Sequence, residues 1–154
     1  MIEFGTFEDI LDFAILQEKA AQQFYTHLSH LVLDPDVRLF YRTLAEEEQL
    51  HEKKLTELKR YDYDLVEPDM ETLRSSGYLD ALPAHPEMTM AEAVRYALKK
   101  EKSARMLYHT LALMTHRKEL SVVLEHLAEQ EQQHADFFLE QSEKLPLDTD
   151  SSRG

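Results

Sequence analysis

The chain has 154 residues, a formal charge of −13 and no cysteine. That length suits one domain around one core. The lack of thiols excludes disulfides, zinc–thiolate sites, iron–sulfur clusters and thiol catalysis, and the negative charge argues against partners that are nucleic acids or anionic membrane surfaces.

The first residues, Met1-Ile-Glu-Phe-Gly, show no basic region followed by an apolar run. No stretch is long and apolar enough to span a bilayer, so a soluble, cytoplasmic protein is expected. The spacing of apolar residues predicts a first helix that starts at Thr6, with Asp9 as a capping-box-like partner, and runs to about Leu33. Asp34-Pro35 caps and opens a second helix to about Tyr61, with proline at the first helical position, where no donor is lost. The segment from about Asp62 to Met88 is too long for a simple turn, and a short helix is expected near Pro68–Ser75, stopped by Gly77. Thr89-Met-Ala-Glu92 forms a second capping box and starts a third helix that runs to about Thr115. The fourth occupies roughly residues 119–143, and the tail over 145–154, with Pro146, reads as disordered.

The chain repeats itself. Glu18 precedes Glu48-Gln-Leu-His51 by the same distance that Glu101 precedes Glu131-Gln-Gln-His134, and every member of one set lies 83 residues from its counterpart. The two capping boxes, at Thr6 and Thr89, are offset by the same 83. The chain is therefore a duplicated helical hairpin without insertion or deletion from helix start to motif. Short turns make the helices within each hairpin antiparallel neighbours. A helix of about 27 residues is roughly 40 Å long, and about a dozen extended residues cover that length. The 62–88 segment can thus run back along the whole bundle as a single long crossover between helices 2 and 3.

Each helix carries an apolar seam at heptad spacing. The seams are Phe7, Leu11, Ala14, Glu18, Ala21, Tyr25, Leu28 in helix 1 and Val37, Tyr41, Leu44, Glu48, His51, Leu55, Leu58 in helix 2. In helix 3 they continue as Met90, Val94, Ala97, Glu101, Ala104, Tyr108, Leu111, and in helix 4 as Leu120, Leu124, Leu127, Glu131, His134, Phe138. All four seams are interrupted near mid-helix by acid or histidine. Each charge buried without a partner would cost several kcal/mol, and four carboxylates at one level would repel one another. Two divalent cations would balance four carboxylates and two neutral imidazoles. The i, i+3 spacing puts Glu and His of each motif on one helix face, and oxygen and imidazole donors suit iron or manganese, and less specifically zinc. A single Glu-x-x-His is weak evidence. Two copies with matched lone glutamates on core seams predict a dinuclear metal site held by Glu18, Glu48, His51, Glu101, Glu131 and His134.

Other titratable residues have plainer readings. His27, His30, His109, His116 and His126 read as surface or helix-terminal residues. Glu46, Glu47 and Glu129 read as solvated charge beside the motifs, and Lys19 and Lys102 as surface residues. Tyr25 and Tyr108 lie two turns past the lone glutamates. They read either as core aromatics or as hydroxyls that hydrogen-bond and orient a ligand on a facing helix.

These residues, from about Thr6 to Lys144, resemble the rubrerythrin/bacterioferritin branch of the ferritin-like superfamily. The resemblance implies an all-α, ferritin-like four-helix bundle over residues 1–144 with a di-iron carboxylate centre that reacts with hydrogen peroxide or dioxygen. Glu18 and Glu101 would be the lone carboxylates, Glu48 and Glu131 would bridge or chelate, and His51 and His134 would each bind one metal. Rubrerythrins carry an extra Glu where this chain has Ala104, so the site is the symmetric, six-ligand type. Gln49 stands where haem-binding bacterioferritins place Met, so no haem is expected. Without cysteine there is no rubredoxin-like iron domain, and the electron donor would be external. The short polar tail cannot supply the fifth helix of a ferritin cage, which leaves a homodimer as the simplest assembly. The expected function is a rubrerythrin-like peroxidase or ferroxidase. The alternative is an iron-binding, storage or delivery protein with little turnover, and an oxygen-activating hydroxylase on the same fold ranks last.

Overall fold

A computed structural model describes residues 6–60 and 88–144 of the protein. Four long helices occur among them: α1 (Phe7–Leu31), α2 (Pro35–Leu58), α3 (Met90–Met114) and α4 (Lys118–Lys144). Their starts follow from local chemistry. The Thr6 hydroxyl accepts from the Asp9 amide at 3.1 Å, and the Asp9 carboxylate accepts from the Thr6 amide at 3.1 Å. Thr89 and Glu92 repeat the arrangement at the head of α3, at 3.0 and 3.1 Å. At the head of α2 the Asp34 carboxylate accepts from the Asp36 amide at 2.8 Å, and Pro35 opens the first turn. Each cap satisfies amides that the helix itself leaves without partners. The helix ends fall within a few residues of the expected positions. α1 stops at Leu31, two residues early, because Val32 turns to extended backbone before Asp34.

Side-chain contacts fix the packing directions. Phe24 of α1 meets Tyr96 of α3 with ring centroids 4.7 Å apart, and nearer the other end the Lys100 ammonium donates to the Gln17 carbonyl at 3.2 Å. α1 and α3 are therefore antiparallel. Phe40 of α2 packs on Phe137 of α4 at 3.8 Å, while His51 reaches Gln130, so α2 and α4 are antiparallel too. With each hairpin antiparallel as well, α2 ends at one end of the bundle and α3 begins at the other. That placement of the two helix ends is the one the single-crossover reading requires. Residues 61–87, with the short helix expected near Pro68–Ser75, and the tail from 145 lie outside the described residues.

The core has two halves. One gathers Phe7, Leu11, Leu55, Leu111 and Leu124 at the end where α4 begins. The other gathers Tyr25, Leu28, Tyr41, Val94 and Phe138 at the opposite end. In the second half the Tyr25 ring stacks on Phe138 and Tyr41, with centroids 5.7 and 6.3 Å away. Almost every expected seam residue is buried. Val37 and Met90 are exceptions, 37% and 39% exposed, because in the first turn of a helix a seam faces only the rim of the bundle. No helix among the described residues is long and apolar enough to cross a membrane.

The two halves make a stability contrast measurable. Leu124 is fully buried and Leu33 is 89% exposed. Leu124→Ala is expected to lower unfolding free energy by about 2–5 kcal/mol and Leu33→Ala by no more than about 0.5 kcal/mol, both read from urea midpoints at constant slope.

Candidate metal centre

Between the two apolar halves lie six polar side chains, each at most 7% exposed: Glu18, Glu48, His51, Glu101, Glu131 and His134. One or two come from each helix, and all six are the residues singled out by the duplicated spacing. Their donor atoms fall into two groups whose geometry could hold a metal ion. One is Glu18, Glu48, His51 and Glu131, and the other is Glu48, Glu101, Glu131 and His134. Glu48 and Glu131 belong to both, whereas Glu18 with His51 and Glu101 with His134 belong to one each.

Both imidazoles turn Nδ1 inward. His51 Nδ1 lies 2.9 Å from Glu18, 3.4 Å from Glu48 and 2.7 Å from Glu131. His134 Nδ1 lies 3.3 Å from Glu48 and 3.5 Å from Glu101. These approaches are ion-pair contacts without hydrogen-bond geometry. Seven buried side-chain atoms among the described residues have no hydrogen-bond partner, and six of them are one atom from each member of the cluster: Glu18 Oε2, Glu48 Oε1, His51 Nδ1, Glu101 Oε2, Glu131 Oε1 and His134 Nδ1. Buried polar atoms are rarely left unpaired. Six converging on one place, all oxygen or imidazole nitrogen, fit a pair of divalent cations.

The outward atoms are satisfied. The Tyr25 hydroxyl donates to Glu101 Oε1 at 2.5 Å, which fixes the rotamer that aims Oε2 inward. His134 Nε2 lies 2.5 Å from Glu47 Oε2, and His51 Nε2 lies 2.7 Å from Gln130 Oε1. Glu47 is thus not simply solvated, as its place beside the motif suggests. It and Gln130 are the contacts that the seams did not disclose. The signal was in the repeat, since the two positions are also 83 apart and each directly precedes the motif glutamate.

Tyr108 occupies the repeat position of Tyr25 but makes no matching hydrogen bond to Glu18. It lines a small cavity of about 30 Å³ with Glu18, Glu48, Glu131 and Ala104. Ala21, the repeat partner of Ala104, is wholly buried in packed core, so the cavity beside the cluster lies on the Ala104 side. Burial, then Glu101 for Tyr25 and Glu18 for Tyr108, pushes both phenols well above their usual range and keeps them protonated donors. A larger groove of about 620 Å³, lined by Lys54, Leu58, Arg117 and His126 among others, sits at one end of the bundle and shares no residue with the cluster. His27, His30, His116 and His126 are exposed, and His109 pairs with Glu125 at 2.8 Å, so none joins the centre. Lys19 and Lys102 are exposed as expected.

Four carboxylates in one buried place cannot all ionise. Burial, then Glu101 and Glu18, raises Glu48 to about 8. Burial and the same kind of neighbours hold Glu131 well above the carboxylate range. Burial alone would raise Glu101 also, but contacts from Glu131, His134 and Tyr25 bring it down to about 2. Glu48 and Glu131 are therefore pushed toward the protonated form and Glu101 toward the ionised one. Burial opposes charge on the imidazoles, yet Glu18 and Glu48 lift His51 to about 9, and Glu101, Glu47 and Glu48 lift His134 to about 12. The metal-free cluster holds protons where a cation would sit, and binding must release them.

The whole defines a class: a ferritin-like four-helix bundle with a buried carboxylate–histidine centre suited to two metal ions. Residues 92–153 match the rubrerythrin family model. No curated protein matches the sequence. Among solved structures, the fold is similar to a candidate ferritin-like diiron-carboxylate protein from Thermotoga maritima, with a TM-score of 0.71 and 19% identity over 94% of this chain and 99% of that one. The chain has a ferritin-like fold, and its second half is similar to the rubrerythrin family.

The protonation pattern has a measurable sign. His51, raised from 6.5 to about 9, contributes stability that is full below pH 6.5 and is lost as pH rises toward 9. Glu48, raised from 4.5 to about 8, also loses its contribution as pH rises through 8. Glu101, lowered to about 2, acts only below its ordinary 4.5, outside that window. The melting temperature of the chelator-treated protein is therefore expected to fall between pH 6.5 and 9, while zinc-loaded protein holds steady or rises. Parallel calorimetric melts at several pH values decide it, and a flat metal-free profile would contradict the assignment.

Proposed function

We propose that the protein is a non-haem di-iron oxidoreductase of rubrerythrin type, which oxidises Fe(II) with hydrogen peroxide or dioxygen. The observation that supports it most is the set of six unpartnered buried atoms, one from each of six side chains on four helices. Glu48 and Glu131, common to both donor groups, would bridge the metals. Glu18 with His51 and Glu101 with His134 would complete one position each. When bound, two ferrous ions supply one electron apiece, which balances H2O2 + 2 Fe(II) + 2 H⁺ → 2 H2O + 2 Fe(III), or O2 + 2 Fe(II) + 2 H⁺ → H2O2 + 2 Fe(III).

The chain's own residues set the conditions. The cavity beside Glu18, Glu48 and Glu131, about 30 Å³, admits a molecule the size of water or a small oxidant. It leaves no room for an organic substrate, which counts against a hydroxylase. Tyr108 lines that cavity as a protonated phenol and is positioned to donate to a small oxidant there. Tyr25 holds Glu101 in its inward rotamer. The apolar layers above and below exclude bulk water, and an external donor returns the two electrons.

The test is stopped-flow oxidation of protein loaded with two Fe(II) per chain, mixed with peroxide or with dioxygen. Oxidation many-fold faster than free Fe(II) is expected with at least one of them, and a rate equal to free Fe(II) removes the reading. Glu48→Ala is expected to lose retention of at least one metal on gel filtration. Iron retained as mineral, well above two per chain, would favour storage instead.

A further inference from the structure

The duplication pairs the six core side chains like for like: Glu18 with Glu101, Glu48 with Glu131, His51 with His134. The next layer out is not paired like for like. The imidazole of His134 on α4 is held at Nε2 by the Glu47 carboxylate of α2, whereas that of His51 on α2 is held by the Gln130 carboxamide of α4. Glu47 and Gln130 occupy the same position of the repeat, 83 residues apart. Two donor groups with identical composition, three carboxylates and one imidazole each, thus differ in the group behind the imidazole, a carboxylate on one side and a carboxamide on the other.

That group matters chemically. With Nδ1 directed at a cation, the ring hydrogen resides on Nε2, and both outer partners present an oxygen that accepts it. A carboxylate accepts more strongly than a carboxamide, draws the Nε2 hydrogen toward itself and leaves more electron density on Nδ1. Changing such a partner typically alters metal affinity by about 10–100-fold. Glu47 is 43% exposed on its side chain, so solvent screens its charge and the direct hydrogen bond carries the effect. Tyr25 acts in the opposite sense by donating to Glu101, but it is a neutral donor on an oxygen that faces away from the cluster.

We propose that Glu47 makes the two metal positions unequal, so that a divalent cation fills the position of Glu48, Glu101, Glu131 and His134 before that of Glu18, Glu48, His51 and Glu131. This inference rests on the di-metal reading above. Its consequence is spatial. Of the side chains that belong to one position only, Glu18 lines the small cavity, whereas His51, Glu101 and His134 do not. The cavity therefore adjoins the weaker position, and the tighter one anchors the centre from the closed side.

The test is a titration of the metal-free full chain with Co(II), followed by visible absorption and by calorimetry. The wild type is expected to take up two Co(II) in separated steps. Glu47→Gln is expected to weaken the tighter step and narrow the ratio of the two constants by about tenfold or more. Gln130→Glu narrows it by strengthening the weaker step, and the double exchange restores the gap. Repulsion between the two cations is common to all four proteins and cancels in the comparison. Both substitutions are isosteric at half-buried sites, and metal-free melting curves verify folding. A ratio that Glu47→Gln leaves unchanged overturns the inequality while the di-metal reading stands. Uptake of fewer than two Co(II) by the wild type overturns that reading itself.

Discussion

Four carboxylates and two imidazoles are buried between two apolar half-cores, and the rest of the structure is arranged around the cost of keeping them there. Taking charges out of water costs several kcal/mol apiece even after relaxation. In the metal-free protein that cost is limited by protonation: Glu48 and Glu131 are driven up, Glu101 is left ionised, and both imidazoles carry charge to match. Protons therefore stand in for cations. A bundle core without such groups would pack more simply, so their retention at mid-helix on all four seams points to what they bind rather than to stability.

The apolar layers serve the centre as much as the fold. Leu11, Leu55, Leu111 and Leu124 close one side, and Tyr25, Tyr41, Val94 and Phe138 close the other. Stacked rings hold Tyr25 so that its hydroxyl meets Glu101, which leaves the second oxygen of that carboxylate aimed at the cluster. Packing and carboxylate orientation are the same contact here. Orienting hydrogen bonds of this kind determine how well a metal site is preorganised.

Duplication explains both the symmetry and its failures. Two hairpins in the same register place equivalent side chains about the centre, which is why Gln17 and Lys100, themselves repeat partners, touch each other across the bundle. The two halves diverge at Glu47 against Gln130, at Tyr25 against Tyr108, and at Ala21 against Ala104. Each divergence falls on the layer around the six side chains rather than on the six themselves. The Ala104 side has a cavity and a phenol without a carboxylate partner, and the Ala21 side is closed. A centre with one open face can admit a small molecule without exposing its carboxylates to bulk solvent.

The periodic part of this protein was legible in the sequence. Capping boxes at Thr6 and Thr89, the 83-residue offset and the heptad seams were sufficient to define four helices, a duplicated hairpin and six inward-facing polar residues, because each depends on local backbone geometry or on which face of one helix a residue occupies. Val37 and Met90 departed from their seams because periodicity is blind to where a bundle ends. The partners of the six residues were decided only by tertiary structure. That Glu47 reaches His134, that Tyr25 rather than Tyr108 bonds a carboxylate of the cluster, and that a cavity lies at Ala104 while Ala21 is fully buried all depend on contacts between helices of different hairpins. Helical repeat specifies the direction in which a side chain leaves its own helix, while the distance to the facing helix is set by how all the side chains between them pack.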